Sequence, residues 1–222
     1  MTEPQGTSRS RIYTALRRAL IMGHLKPGER LNVEELARRY ETSITPVRDA
    51  LQMLAQEGLV TIRPRAGYFV TRISLRELRD LLDLREVLET AAAERAATRI
   101  TNAQIEQLTH VHAGYTGDDD ESYDRYTDEN RRFHYLVALA SGNQALAEMV
   151  GRLHDRLARF MVLRHAGQVM EQDHIRIIEA LRAHDPVAAR QAIQEEVRQT
   201  SRIVLDLVIQ EEGETWHVGQ SQ

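Results

Sequence analysis

The sequence of 222 residues contains no cysteine. This absence excludes disulfide bonds, thiolate metal sites and thiol-based redox sensing, so any metal would need imidazole, carboxylate or amide ligands. The sequence also lacks a run of 18 apolar residues, which excludes a membrane-spanning helix. Its first residues, MTEPQGTSRSR, lack the apolar core of a signal peptide. We therefore expect a cytoplasmic protein with no membrane partner.

The charges are distributed unevenly along the chain. Residues 1–72 hold 12 Lys and Arg against 7 Asp and Glu, a net charge of +5, whereas the remaining residues hold 17 against 26, a net charge of −9. A basic front on an acidic body suggests that only the front contacts a polyanion, although a split of this size also arises by chance.

Residues 1–72 predict a winged helix-turn-helix domain. Apolar residues recur at helical spacing over 8–23, and a short strand-like segment and a short helix follow. The next helix, 44–57, carries Val47, Ala50, Leu51 and Leu54 on one face. The stretch LVTIRPRAGYFV is typical of a small β hairpin.

Residues 73–222 predict an all-helical domain, which makes the fold class mainly α. Proline and glycine become sparse after residue 74, and Ser74 and Thr101 each begin a capping-box pattern. We expect a bundle of about six helices at 74–99, 101–115, 121–141, 143–165, 168–183 and 186–211, followed by a frayed tail.

Candidate DNA contacts lie at the start of the helix over 44–57. Small polar residues, Ser43 and Thr45 among them, suit a helix N-terminus that approaches phosphates. Arg48 lies one turn further on and away from the apolar face, where a recognition helix presents its side chains. Arg65 and Gly67 belong to the tip of the hairpin, which would lie along a groove or a phosphate ridge. Individually, each Arg also fits a role as an ordinary solvated charge.

Polar residues on the apolar stripes of the second domain are candidate metal ligands. Asn130 and His134 are one turn apart on one helix, and His174 shares a stripe with Ile177 and Leu181. Glu196 aligns with apolar residues, whereas Glu195 points away. Two His, one Asn and one Glu that converge would form a site with nitrogen and oxygen ligands. The alternative is that these residues are hydrogen-bonded core side chains.

Arg85 has two interpretations. It lies four residues before Glu89, close to an apolar stripe, so it could form an ordinary ion pair on the flank of a helix. It could instead be a cation inside the bundle that pairs with the carboxylate of an effector.

The first domain closely resembles the DNA-binding domain of the GntR family of bacterial transcription regulators. The resemblance rests on LKPGERL, VEELARRYETSITPVRDALQMLAQEGLV and RAGYFV, and it implies DNA contacts by Ser43, Thr45, Arg48, Arg65 and Gly67. The family commonly has Arg where this chain has Ile44, so one usual DNA contact is missing. Ile44 could contact a thymine methyl group or simply pack.

The second domain resembles the ligand-sensing domain of the FadR subgroup through LLDLREVLETAAAERAA, NRRFHYLVALASGNQAL and DHIRIIEALRAHDPVAARQAIQEE. This resemblance implies a divalent metal on Asn130, His134 and His174, with Glu196 in a position where His is usual. Glu favours harder ions such as Mn, while Zn and Ni remain compatible. In this subgroup an Arg on the helix that contains Arg85 often lines the effector pocket.

These patterns lead us to expect a homodimeric regulator, a repressor, that binds a palindromic operator. A small carboxylate metabolite would bind in the helical domain and modulate the affinity for DNA. One alternative is a metal-responsive regulator in which the ion is the signal. Another is a metal-dependent helical-bundle enzyme, which the lack of a recognisable nucleophile, general base or phosphate loop disfavours.

Overall fold

A computed structural model of the protein describes residues 7–111, 120–162 and 167–218. The chain divides into two structural units, Met1–Ile73 and Ser74–Gln222. The elements of the first unit are α1 (Ser8–Ile21), β1 (Arg30–Leu31), α2 (Val33–Arg39), α3 (Ile44–Gln56), β2 (Val60–Arg63) and β3 (Gly67–Val70). Those of the second are α4 (Leu75–Ala97), α5 (Asn102–Val111), α6 (Asp120–Ala140), α7 (Gln144–Val162), α8 (Gly167–Arg182) and α9 (Pro186–Val218).

The first unit has the predicted order of a winged helix-turn-helix. Its hairpin pairs β2 with β3, with Val60 opposite Val70 and Arg63 opposite Gly67. The short strand β1 pairs with the other edge of β3, which makes a three-stranded antiparallel sheet in the order β1-β3-β2. The four predicted apolar residues of α3, Val47, Ala50, Leu51 and Leu54, are all inaccessible to solvent. They pack against α1, α2 and the sheet in one hydrophobic core.

The second unit is the predicted bundle, with six helices among the described residues. The helix α4 packs along α9 and also contacts α6, α7 and α8. The predicted N-cap of α4 is present in the structure. The Ser74 hydroxyl accepts a hydrogen bond from the backbone N–H of Glu77 at 3.2 Å. The Asp185 carboxylate accepts hydrogen bonds from the backbone N–H groups of Val187 and Ala188 at 2.9 and 3.0 Å.

The ends of some helices differ from those expected. The helix α9 continues to Val218, whereas the sequence pattern predicted an end at 211 and a frayed tail. The expected extensions over 112–115 and 163–165 lie outside the described residues. None of the helices described is long and apolar enough to cross a membrane.

Candidate functional site

The helix α3 presents its first turn to solvent because its apolar face is committed to the core. Ser43 is the N-cap, with an extended backbone, and its side chain makes no capping hydrogen bond. Thr45 and Arg48 are exposed, and Ile44 is 38% exposed. Ile44 is therefore not a core residue. The first turn of α3 offers backbone N–H groups, hydroxyls, an Arg and one apolar side chain to a partner.

The turn between α2 and α3 holds the start of α3 in place. The backbone N–H of Thr42 donates to the carbonyl of Ala37 at 3.0 Å. Glu41 reverses the chain with a φ of 51°, a conformation that is uncommon for residues other than Gly. At the start of α2, the Asn32 side chain accepts a hydrogen bond from the backbone N–H of Glu35 at 3.1 Å. These local bonds make the helix-turn-helix a defined unit of structure.

The hairpin tip separates the roles of its two Arg residues. Arg63 lies over the ring of Phe69, with its guanidinium carbon 4.4 Å from the ring centroid, so its charge is held against the sheet. Arg65 is exposed in the turn and has a φ of 62°, and Gly67 follows with a φ of 104°. The positive φ of Gly67 suits a residue without a Cβ. Both Arg residues are exposed, but Arg63 is held against the ring of Phe69 and Arg65 is the cation at the tip of the turn.

Six polar residues from five helices of the second unit contact one another. Together with Asn130, one helical turn before His134, they form what we call the buried polar cluster. Each is 5% exposed or less. Its members are Arg85 and Glu89 of α4, Asn130 and His134 of α6, His154 of α7, His174 of α8 and Glu196 of α9. The cluster contains every residue predicted from the sequence as a metal ligand, together with Arg85.

Arg85 joins α4 to α9 through two carboxylates. Its Nε donates to Glu89 Oε1 at 2.8 Å and its Nη2 donates to Glu196 Oε1 at 2.8 Å. The same Nη2 lies 3.4 Å from His134 Nε2. Burial by itself would lower the pKa of Arg85, but the two carboxylates raise it above its ordinary value. The guanidinium is therefore charged. It pairs with Glu89 as the sequence suggested, but inside the bundle rather than on the flank of a helix, and its pairing with an effector stays a prediction.

His134 occupies the centre of the buried polar cluster. Its Nδ1 is 2.5 Å from Glu89 Oε2, an ion-pair distance without the alignment of a hydrogen bond. On the other side of the ring, its Nε2 lies 3.3 Å from His174 Nε2 and 3.7 Å from Glu196 Oε2. The ring of His174 is in turn stacked on Phe133, with centroids 4.0 Å apart. The imidazoles are therefore held in fixed orientations.

Glu89 and His154 are members of the cluster that the sequence analysis missed. His154 Nε2 lies 2.7 Å from Glu89 Oε1, and its ring stacks on His134. Burial lowers the pKa of His154 to about 4, so this imidazole is neutral near pH 7. Burial would raise the pKa of Glu89, but Arg85 and the two imidazoles lower it well below its ordinary value. Helical spacing could have indicated that His154 is buried, since it shares a stripe with the apolar residues Val150 and Leu157.

Five buried polar atoms of the cluster have no hydrogen-bond partner among the described residues. Two of them, Glu89 Oε2 and His134 Nδ1, lie 2.5 Å from each other. The other three are Asn130 Oδ1, Glu196 Oε2 and Arg85 Nη1. Buried polar groups in folded proteins nearly always have partners. His134, His174 and Glu196 bring two imidazoles and a carboxylate close enough together to hold a divalent cation. Asn130 lies one helical turn before His134 on α6 and has a buried oxygen without a partner. The free N–H group of Arg85 fits an acceptor, such as the oxygen of a carboxylate.

The first unit is a winged helix-turn-helix, a motif with which many transcription regulators bind DNA. The second unit is all-helical and contains the buried polar cluster. Residues 8–70 match the family described as bacterial regulatory proteins, gntR family, and residues 80–199 match the FCD domain. The chain therefore belongs to the GntR family, in its FadR-like subgroup with an FCD domain, and it is a DNA-binding transcription regulator rather than an enzyme.

The similar proteins carry corresponding names. The HTH-type transcriptional repressor RspR of Escherichia coli K12 is 30% identical over 211 residues, which cover 92% of this chain and 91% of that protein. The Nta operon transcriptional regulator of Aminobacter aminovorans is 32% identical over 173 residues, covering 75% and 80% of the two chains. The solved structure of E. coli McbR/YncC aligns over 94% of this chain and 100% of its own, with a TM-score of 0.73 and 23% identity. At that identity the likeness to McbR/YncC shows the fold alone.

The neighbours Glu195 and Glu196 provide a matched test of the cluster. Glu196→Ala should lower the free energy of unfolding of the chelator-treated protein by about 3 kcal/mol, because removing one partner leaves a buried charge underpaired. Glu195 is exposed, and Glu195→Ala should change that free energy by less than about 0.5 kcal/mol. Urea denaturation followed by circular dichroism measures both. Equal losses in the two variants would contradict a buried pairing role for Glu196.

Proposed function

We propose that this protein is a homodimeric repressor whose affinity for a palindromic operator is modulated by a small organic acid and a divalent metal in the buried polar cluster. The observation that carries the proposal is the coexistence of an unsatisfied N–H group on a fully buried Arg85 with unsatisfied oxygens on Asn130 and Glu196. The N–H group lacks an acceptor, and each oxygen lacks a partner that a hydrogen-bond donor or a cation can supply. Because its target is bacterial operator DNA, we place the protein in the cytoplasm.

For DNA recognition we assign the first turn of α3 and the wing. Ser43 and Thr45 would contact phosphates at the helix N-terminus, and Arg48 would reach the major groove. Arg65 would contact a groove or the backbone from the wing, and Gly67 would allow the turn to approach closely. A twofold dimer presents two such heads, so we propose a palindromic operator with half-sites about one helical turn apart.

For the metal we assign Asn130, His134, His174 and Glu196. These residues supply two imidazole nitrogens and two oxygens, which suits Zn, Ni or Mn, and the carboxylate in place of a fourth nitrogen favours the harder ion. Glu89 lies against the Nδ1 side of His134 and would keep its Nε2 directed at the ion. When bound, the ion would supply positive charge for an anionic effector.

For the effector we assign Arg85, and specifically its Nη1. A carboxylate oxygen there would complete the hydrogen bonds of the guanidinium, whose other N–H groups are directed at Glu89 and Glu196. The acid can change the affinity for DNA only if it binds two arrangements of the protein unequally. Arg85 contacts both α4 and α9, so we propose that the acid alters the packing of these helices. The change would reach the DNA-binding unit through the join at 71–74.

Arg48→Ala should abolish binding to the operator, since it removes the cation that the recognition helix presents to DNA. The operator is obtained first by selection from a random-sequence DNA library with the wild-type protein, and binding is then measured by gel shift. Arg182 is exposed on α8, and Arg182→Ala should bind like wild type. Both variants should keep the oligomeric state of the wild type. Retained operator affinity in Arg48→Ala would show that the recognition helix is wrongly assigned.

Ile44 should determine one base pair in each half-site. Its side chain is exposed beside Thr45, and an apolar side chain in the major groove favours the methyl group of thymine. Selection with the wild type should therefore enrich thymine at one position of each half-site. Ile44→Arg should shift that position towards guanine, which Arg contacts through two hydrogen bonds. An identical preference in both proteins would mean that Ile44 contacts no base.

The effector class can be found from thermal unfolding of the wild type against a panel of small carboxylic acids, with and without prior chelation. A ligand of the native state raises the midpoint by mass action. We expect at least one acid to raise it in the metal-loaded protein, and that acid to release the operator. If metal alone changes operator affinity and no acid has an effect, the ion is the signal. If neither acid nor metal moves the midpoint, the cluster is structural.

A further inference from the structure

The guanidinium of Arg85 contacts two residues of the proposed metal site. Its Nη2 is 2.8 Å from Glu196 Oε1 and 3.4 Å from His134 Nε2. Glu196 and His134 are two of the four residues assigned to the ion. His174, another of the four, lies on the far side of His134 from Glu89, since its Nε2 contacts the Nε2 of His134 and Glu89 contacts the Nδ1. A cation is therefore already present among the ligands, as part of the protein.

We infer that Arg85 competes with the divalent ion for His134 and Glu196 and so sets the ion affinity of the cluster. This inference rests on the metal site proposed above and adds a residue that opposes metal binding. Two effects act in the same direction. The Nη2 group must withdraw from His134 Nε2 before that nitrogen can bind an ion, and the charge of the guanidinium repels the ion at close range.

The net charge of the cluster determines whether it attracts the divalent ion or the organic acid. With neutral imidazoles, Glu89, Glu196 and Arg85 sum to a net charge of −1. This favours the entry of a divalent ion and disfavours an organic anion. With the ion bound the sum becomes +1, and an anion is then attracted. The metal should therefore bind first, and an acid should bind the ion-loaded form much more tightly than the ion-free form.

The same geometry makes the two ligands cooperate. A carboxylate on Arg85 Nη1 would offset the charge that opposes the ion. By linkage, an acid that raises the ion affinity must have its own affinity raised by the ion to the same extent. Replacing Arg85 with a neutral residue should consequently move the two affinities in opposite directions, with ion binding stronger and acid binding weaker.

The test is a titration of the full-length, chelator-treated protein with Zn²⁺ and Mn²⁺ in competition with a fluorescent chelator. Arg85→Met should bind Zn²⁺ at least about tenfold more tightly than wild type. That is the repulsion expected between a unit charge and a divalent ion ~5 Å apart even at the dielectric constant of water. Arg182→Met, which removes an exposed charge from α8, is the matched control and should bind like wild type.

A second variant covers the case in which Arg85→Met does not fold without metal because two buried carboxylates lack a partner. Arg85→Met combined with Glu89→Gln restores the net charge of −1 while leaving His134 and Glu196 clear of the guanidinium. It should also bind Zn²⁺ more tightly than wild type. The ion-induced rise in the unfolding midpoint is an independent readout and should be larger in both variants than in wild type.

The outcomes separate this inference from the proposed function. If the wild type binds the ions and neither variant binds them more tightly, Arg85 is no competitor and the proposed metal site still stands. If only the Arg85 variants bind, Arg85 takes the place of the ion in the wild type. The inference then holds and the metal is removed from the proposed function. If no protein binds Zn²⁺ or Mn²⁺, both are overturned.

Discussion

Arg85 has no access to solvent, and a guanidinium is tolerated in such a place only when carboxylates surround it. Glu89 lies on the next turn of the same helix, whereas Glu196 lies on α9, 111 positions after Arg85 in the chain. The requirement for a second carboxylate thus joins the first and the last helix of the FCD unit. The remaining contacts follow, because the oxygens of Glu89 also meet His134 and His154, and His134 meets His174.

Such a cluster is a poor way to obtain stability. Buried ion pairs are often replaced by apolar side chains with no loss of stability, and here five buried polar atoms also lack hydrogen-bond partners among the described residues. Each unsatisfied atom costs free energy that a packed apolar core would not lose. The neighbouring core of the same unit, around Phe133, Ile177 and Leu181, shows that these helices can pack without polar groups. This cost supports the proposal that the cluster is a binding site.

The DNA-binding unit buries the apolar face of α3 and leaves polar side chains of this helix exposed. Its core takes the whole apolar face of α3, with Val47, Ala50, Leu51 and Leu54 inaccessible to solvent. The other face, from Ile44 to Arg48, is left uncovered by the protein. A rigid scaffold behind a solvent-facing helix start is what reading DNA requires, since base contacts depend on a fixed helix position. Ile44, which stands where the resemblance to the family leads us to expect Arg, lies on that exposed face.

The sequence by itself determined the helices, their caps and the faces that turn inward, because these depend on residues three or four positions apart. Helical spacing was enough to place His134, His174 and Glu196 inside the bundle and to leave Glu195 outside, whereas it left the position of Arg85 open. Helical spacing also placed His154 on an apolar stripe, but the sequence did not show which residue this histidine would contact. The tertiary structure alone decided that Glu196 pairs with Arg85, that His154 contacts Glu89, and that β1 joins the edge of β3. These contacts join residues far apart in the chain. Local periodicity shows which face of a helix is apolar but not which other helix that face packs against.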